Sequence, residues 1–163
     1  MKNGIIGFLL GGTLGGIAGF AIAIFVYPFI FLADIKAAEK APESSQQKII
    51  ATGTFIHADP ADSFHYGKGS VTVYEKTVHL GADFEVGPGP KFHVYLVPVE
   101  NVTPKTDVAK TMFVDLGRVR AFKGSQNFSI PAGIDIKKYP SVVIWCEQFG
   151  VLVSPAKLKF SGI

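Results

Sequence analysis

Residues 142–160 read VVIWCEQFGVLVSPAKLKF, two runs rich in apolar residues on either side of Gly150. Both runs draw on the β-branched and aromatic types that suit a pleated, half-buried surface, and the glycine marks the reversal between them. The expectation is a final hairpin over 142–149 and 151–160. Alternation along its first strand puts Cys146 on the face of Val142 and Ile144, with Trp145 and Phe149 on the other.

The same grammar holds upstream to residue 48. Short runs of Val, Ile, Phe, Tyr and Thr are separated by Gly, Pro, Asn and Asp clusters, which predicts strands over 49–56, 69–75, 77–84, 92–98, 113–119 and 125–130. No long helical period interrupts them. About eight short antiparallel strands over this length make an all-β fold, a β-sandwich or a small barrel, which periodicity does not separate. Gly87-Pro88-Gly89-Pro90 cannot continue a strand, since proline lacks an amide donor, so a fixed turn is expected ahead of the Phe92 run. Residues 132–140 lead into the Cys146 strand as a loop that could rim a site.

Before residue 48 the composition changes. From Met1 to Ala33 the only charged side chain is Lys2, and residues 4–33 carry none. About 20 apolar residues cross a bilayer as a helix, whereas the apolar core of a secretory signal runs to about 7–15. The length predicts one N-terminal transmembrane helix, 1–33, retained as an anchor and contacting the lipid bilayer through residues 4–33. Gly7, Gly11, Gly15 and Gly19 share one face of it and would let another helix approach closely. Tyr27-Pro28-Phe29 marks its outer end, an aromatic at the interface beside a helix breaker. Residues 34–47 read as a stalk, first Ala, Lys and Glu, then the polar linker PESSQQ, and 48–163 as the β domain.

The rest of the chain holds 15 of the 16 Lys and Arg and all 13 Asp and Glu, a net of +2 with the signs interspersed. A basic stripe is missing, which argues against a nucleic-acid partner. One cysteine excludes an internal disulfide and any cysteine-rich zinc or iron–sulfur site. No cofactor is evident: the chain lacks Cys-x-x-Cys-His, Gly-x-Ser-x-Gly and a glycine-rich phosphate loop joining a strand to a helix. A blue-copper set would need imidazoles and an axial methionine around the cysteine, yet no histidine follows Cys146 and the methionines are Met1 and Met112.

Two constellations remain. Cys146 is the candidate catalytic residue, either a reactive thiol or a small packed hydrophobe, and Glu147 beside it raises rather than lowers its pKa. His57, Asp59, Asp62 and His65 bring two imidazoles and two carboxylates into one loop, a weak metal pattern that solvated loop residues also produce. His79 and His93 lie in predicted strands as half-buried surface residues, and no metal site is assigned.

Several segments resemble, in order, the DM-thirteen domain, the Skeletor-type electron-transfer domain. They are Gly53-Thr54-Phe55, His65 with Gly69-Ser70-Val71-Thr72-Val73, Asp83-Phe84, Gly87-Pro88 and Val94-Tyr95-Leu96, followed by Val114-Asp115-Leu116-Gly117, residues 124–131 (GSQNFSIP) and Val142-Val143-Ile144-Trp145-Cys146 with Phe149 and Ala156. The resemblance spans roughly 48–163. It implies an extracytoplasmic all-β module whose shared cysteine, here Cys146, works in thiol redox or electron transfer with a redox protein partner. The alternative is a non-catalytic adhesion or ligand-binding sandwich in which Cys146 is core packing.

Overall fold

The computed structural model describes residues 2–27, 30, 35–43 and 47–162. Helix α1, Lys2–Tyr27, contains Gly4–Ile24, a stretch of 21 residues long and apolar enough to cross a membrane. At 1.5 Å per residue it extends about 32 Å, close to the hydrocarbon thickness of a bilayer. A side-chain carbon added at Gly7, Gly11, Gly15 or Gly19 would meet nothing within 4 Å, so the glycine face is open along the helix. Pro28 and Phe29, expected at the outer end of the span, lie outside the described residues, as do Asp34 and residues 44–46 of the expected stalk.

Ten strands follow among the described residues: β1 (Lys36–Ala38), β2 (Ile49–Phe55), β3 (Gly67–Tyr74), β4 (Thr77–Leu80), β5 (Glu85–Val86), β6 (Phe92–Val97), β7 (Val114–Arg118), β8 (Lys123–Ser129), β9 (Ser141–Cys146) and β10 (Val151–Phe160). They form one sheet in the order β1-β8-β4-β3-β2-β10-β9-β6-β7, with β5 bridging β3 and β8. All pairings are antiparallel except β1 on β8. Residues 119–122 connect β7 at one edge to β8 near the other, so the sheet curls over its own core. The result is the sandwich-like all-β fold that the strand pattern predicts.

The main core lies inside the curl, where Val71, Val73, Val78, Leu80, Phe84, Phe92, Val94, Phe128, Val142, Ile144 and Cys146 pack together. Burying each of the larger apolar side chains contributes about 1.5–3 kcal/mol. A second cluster lies on the opposite face of β6 and β9, where Tyr95, Val97, Val143, Trp145 and Leu152 are covered by Val102 and Val108 from the 98–113 connection. All six residues of β9 are therefore buried, three on each face.

Two expectations change. The run 77–84 ends as a strand at Leu80, with the short β5 following only at Glu85–Val86, because Asp83 turns back to accept hydrogen bonds from the amide of Ser70 (3.0 Å) and its hydroxyl (2.6 Å). The turn needs Gly69, whose φ is +113° and whose missing side chain leaves room for Phe84 Cα, 2.5 Å from where a Cβ would stand.

The stalk is corrected more sharply. Lys36–Ala38 pairs in parallel with Lys123–Ser125, and Glu39 fastens the pairing. One Glu39 carboxylate oxygen accepts from Arg120 Nη2 at 2.6 Å and Nε at 3.2 Å, while the other accepts from the amide of Asn127 at 2.9 Å. Burial opposes ionisation of Glu39, but the Arg120 and Asn127 hydrogen bonds outweigh it and hold its pKa below the usual carboxylate value. Asn127 Nδ2 also donates to the Lys40 carbonyl at 2.8 Å. Gly124 is the contact point: its φ is +85°, and a side chain there would collide with the Ala37 carbonyl. Residues 36–40 are thus a strap bound to the domain, and eight residues, 28–35, separate them from α1.

Candidate functional site

The end of β9 brings the chemistry together on its two faces. On the inner face Cys146 stands opposite Phe92 of β6 and Val151 of β10 and is fully buried. Its thiol donates to the Pro90 carbonyl across 3.4 Å, and the turn carrying that carbonyl is fastened by the Glu147 amide donating to Lys91 O at 3.1 Å. Lys91 adopts φ +49°, the left-handed region that a side chain normally avoids, so the turn holds local strain of about 1 kcal/mol or more. Pro90 also lines an open, mostly apolar groove bounded by Gly89, Phe92, Val119 and Ala121 of the domain and by Ala23, Ile24 and Tyr27 of α1.

Burial pushes the Cys146 thiol up. The amides of Phe149 and Gln148, in the reversal that follows β9, donate toward the sulfur and pull the other way, while Glu147 adds to the rise. Oriented amides of this kind form an anion-holding nest, though here the desolvation wins and the resting sulfur is the neutral thiol. Among the described residues its hydrogen-bond partners include neither an imidazole nor an ammonium.

On the outer face of the same strand end, registers that join β6, β7 and β9 assemble four polar groups. His93 is opposite both Trp145 and Arg118, and Tyr95 is opposite both Val143 and Asp115. Both Asp115 oxygens lie 3.0 Å from His93 Nδ1, and Oδ1 also accepts from the Gly117 amide at 2.8 Å. Glu147 Oε1 accepts from the Tyr95 hydroxyl at 2.7 Å, and its Oε2 lies 3.5 Å from His93 Nε2. The Tyr95 ring stacks on Phe113 with centroids 4.3 Å apart. Burial, reinforced by Glu147, raises the Tyr95 pKa far above neutrality, so the phenol stays a proton donor to that carboxylate.

The histidine loop is satisfied from within. His57 Nε2 lies 2.8 Å from the Asp62 carbonyl oxygen, and His65 Nδ1 lies 2.7 Å from Asp62 Oδ2. Asp62 also caps the amides of Phe64 and His65, and the His65 amide bond leads in bringing its pKa down to about 2. Asp59 turns to the amide of Ala61. His79 is buried against Asn127 at 2.7 Å.

The sequence placed Cys146 and Trp145 on their correct opposite faces, and Phe149 falls beyond the strand in the reversal. It did not place His93, Asp115, Glu147 and Tyr95 together. The available signal was His93 and Tyr95 at alternate positions of one strand, polar groups facing outward beside an aromatic.

No curated protein and no solved structure matches the chain. The sequence model of the family described as electron transfer DM13 matches residues 61–158, more than half of the chain. The matched region contains both faces of the β9 end, with Cys146, His93, Asp115, Glu147 and Tyr95, and leaves α1 and the strap outside it. The chain therefore belongs to the electron transfer DM13 family.

Proposed function

We propose that this chain is a membrane-tethered, extracytoplasmic electron-transfer module in which Cys146 exchanges electrons with a redox protein partner through local opening of the 87–91 turn. Helix α1 is the retained anchor. The strap keeps the domain close to the bilayer, because the eight residues between α1 and β1 reach at most about 30 Å when extended.

The observation that carries the thiol reading is the sulfur's own surroundings, where one carbonyl covers it and two backbone amides aim at it. When the strained turn lifts, water restores the thiolate that burial disfavours, and the Gln148 and Phe149 amides stabilise it. The thiolate attacks a partner disulfide, a mixed disulfide forms, and one partner sulfur leaves as thiolate. With a single cysteine in the sequence, a donor dithiol completes the transfer: one donor thiolate attacks the Cys146 sulfur and releases the acceptor's second thiolate. The other then closes the donor disulfide and frees Cys146, so two electrons pass from donor to acceptor.

A second reading, an adhesion or binding sandwich with Cys146 as packing alone, is favoured by the full burial of the side chain. Glutathione disulfide separates the two. Offered to the folded full-length chain in detergent micelles, it forms a Cys146 adduct that C146S lacks. An adduct that appears only after denaturation leaves the packing reading standing.

A further inference from the structure

We propose that His93 and Glu147 form a binding site for a divalent first-row transition ion on the outer face of the β9 end, with Asp115 and Tyr95 fixing the two ligands. The site is separate from the Cys146 sulfur, which lies on the other face of the strand, and does not depend on the thiol reading.

The distances distinguish two roles among the four groups. Asp115 meets His93 Nδ1 at 3.0 Å and Tyr95 meets Glu147 Oε1 at 2.7 Å, both of which are hydrogen bonds. The remaining pair, His93 Nε2 and Glu147 Oε2, is 3.5 Å apart, outside the usual hydrogen-bonding range. It is close to the spacing of two donors on one ion: bonds of about 2.0–2.2 Å at tetrahedral or somewhat wider angles hold nitrogen and oxygen about 3.3–3.6 Å apart.

The outer partners are those such a site requires. Asp115 accepting the Nδ1 proton fixes the imidazole tautomer and leaves the Nε2 lone pair facing Glu147, an arrangement that recurs around metal-bound histidines. Asp115 is itself held by the Gly117 amide, and Gly117 at φ +114° gives the backbone the conformation that this needs. Tyr95, pinned by stacking on Phe113, occupies one Glu147 oxygen and leaves the other for the ion. His93, Asp115 and Glu147 form the group of close ligand atoms among the described residues, and Asp115 and Glu147 keep 39% and 33% side-chain exposure, enough for an ion to enter with water in its open positions.

One imidazole nitrogen, one carboxylate oxygen and water at tetrahedral spacing suit a borderline ion such as Zn2+ or Co2+, and Cu2+, which binds such donors most tightly in the series, serves as the spectroscopic probe. The test is titration of the full-length chain in detergent micelles with Cu2+ alone, read by electron paramagnetic resonance and by competition with a chelator. The expected result is one equivalent bound with a single imidazole nitrogen coupling. H93Q and E147Q each lose at least about tenfold in affinity, and D115N loses about 10–100-fold as its orienting bond is weakened. C146S binds as the unaltered chain does, so a failed thiol reading leaves this result intact. Absence of stoichiometric binding by the unaltered chain overturns the proposal, as does binding that survives H93Q and E147Q or that is lost instead in H57A and H65A.

Discussion

The two faces of β9 carry different chemistry within one backbone step. Cys146 points into hydrocarbon, has the Pro90 carbonyl against its sulfur and is neutral at rest, while Glu147 points outward into a charged and hydrogen-bonded group reachable from solvent. A strand permits this because successive side chains project to opposite sides. On the proposed thiol reading, redox chemistry at Cys146 is limited by opening, whereas ion binding at Glu147 is limited by the ligands that β6 and β7 bring to it.

Substitutions graded by effect sharpen that contrast. Ile144→Ala, on the sealed face, is expected to cost about 2–5 kcal/mol by leaving a cavity in the main core, read as a lower urea midpoint with the slope unchanged. A loss under 1 kcal/mol would mean that the inner face is loosely packed and the burial of Cys146 is no barrier. Gly124→Val tests whether the strap belongs to the folded unit. Strain at φ +85° and the clash with Ala37 predict a loss of about 1–3 kcal/mol, with faster hydrogen exchange at the amides of Glu39 and Asn127. Unchanged exchange there would return residues 36–40 to a free stalk.

On the reachable face, and for the ion pair of the strap, the effects are smaller. Tyr95→Phe removes the bond to Glu147 and keeps the stack on Phe113, so the expected loss is about 1–2 kcal/mol in stability. Glu39→Gln at neutral pH should cost under about 1 kcal/mol, because the pair with Arg120 is partly exposed. Its pH dependence has a definite sign. The folded pKa of Glu39 is lowered, so its contribution is fully present above the unfolded carboxylate value and is lost as pH falls through the folded one. Comparing acid unfolding of E39Q and the unaltered chain checks this, and equal slopes through that range would contradict it.

Much of the architecture was legible because it rests on local pattern. The alternation in Val142–Cys146, the glycine reversal at Gly150 and the Pro-Gly turn before Phe92 are each decided by neighbouring residues. The strap was not legible. Lys36, Ala37 and Ala38 favour a helix locally, and what makes them a strand is an edge of β8 opened by Gly124, 87 residues beyond Ala37. The polar face of β9 was hidden for the same reason. His93, Asp115 and Glu147 meet only through the β6–β7 and β6–β9 registers, and the shift in the β6–β7 pairing between Val94 and Tyr95 sets which residues face each other. A side-chain pattern names the faces of a strand, while long-range register decides which of them share a site.

The thiol reading stands on whether the Cys146 sulfur is reached through the 87–91 turn alone. Alkylation of the folded full-length chain, followed across urea concentrations well below the unfolding midpoint, tests this directly. Opening of one turn exposes little surface, so the labelling rate should be nearly independent of urea. A rate that climbs with the full slope of global unfolding would contradict it and leave Cys146 a packed residue of the core.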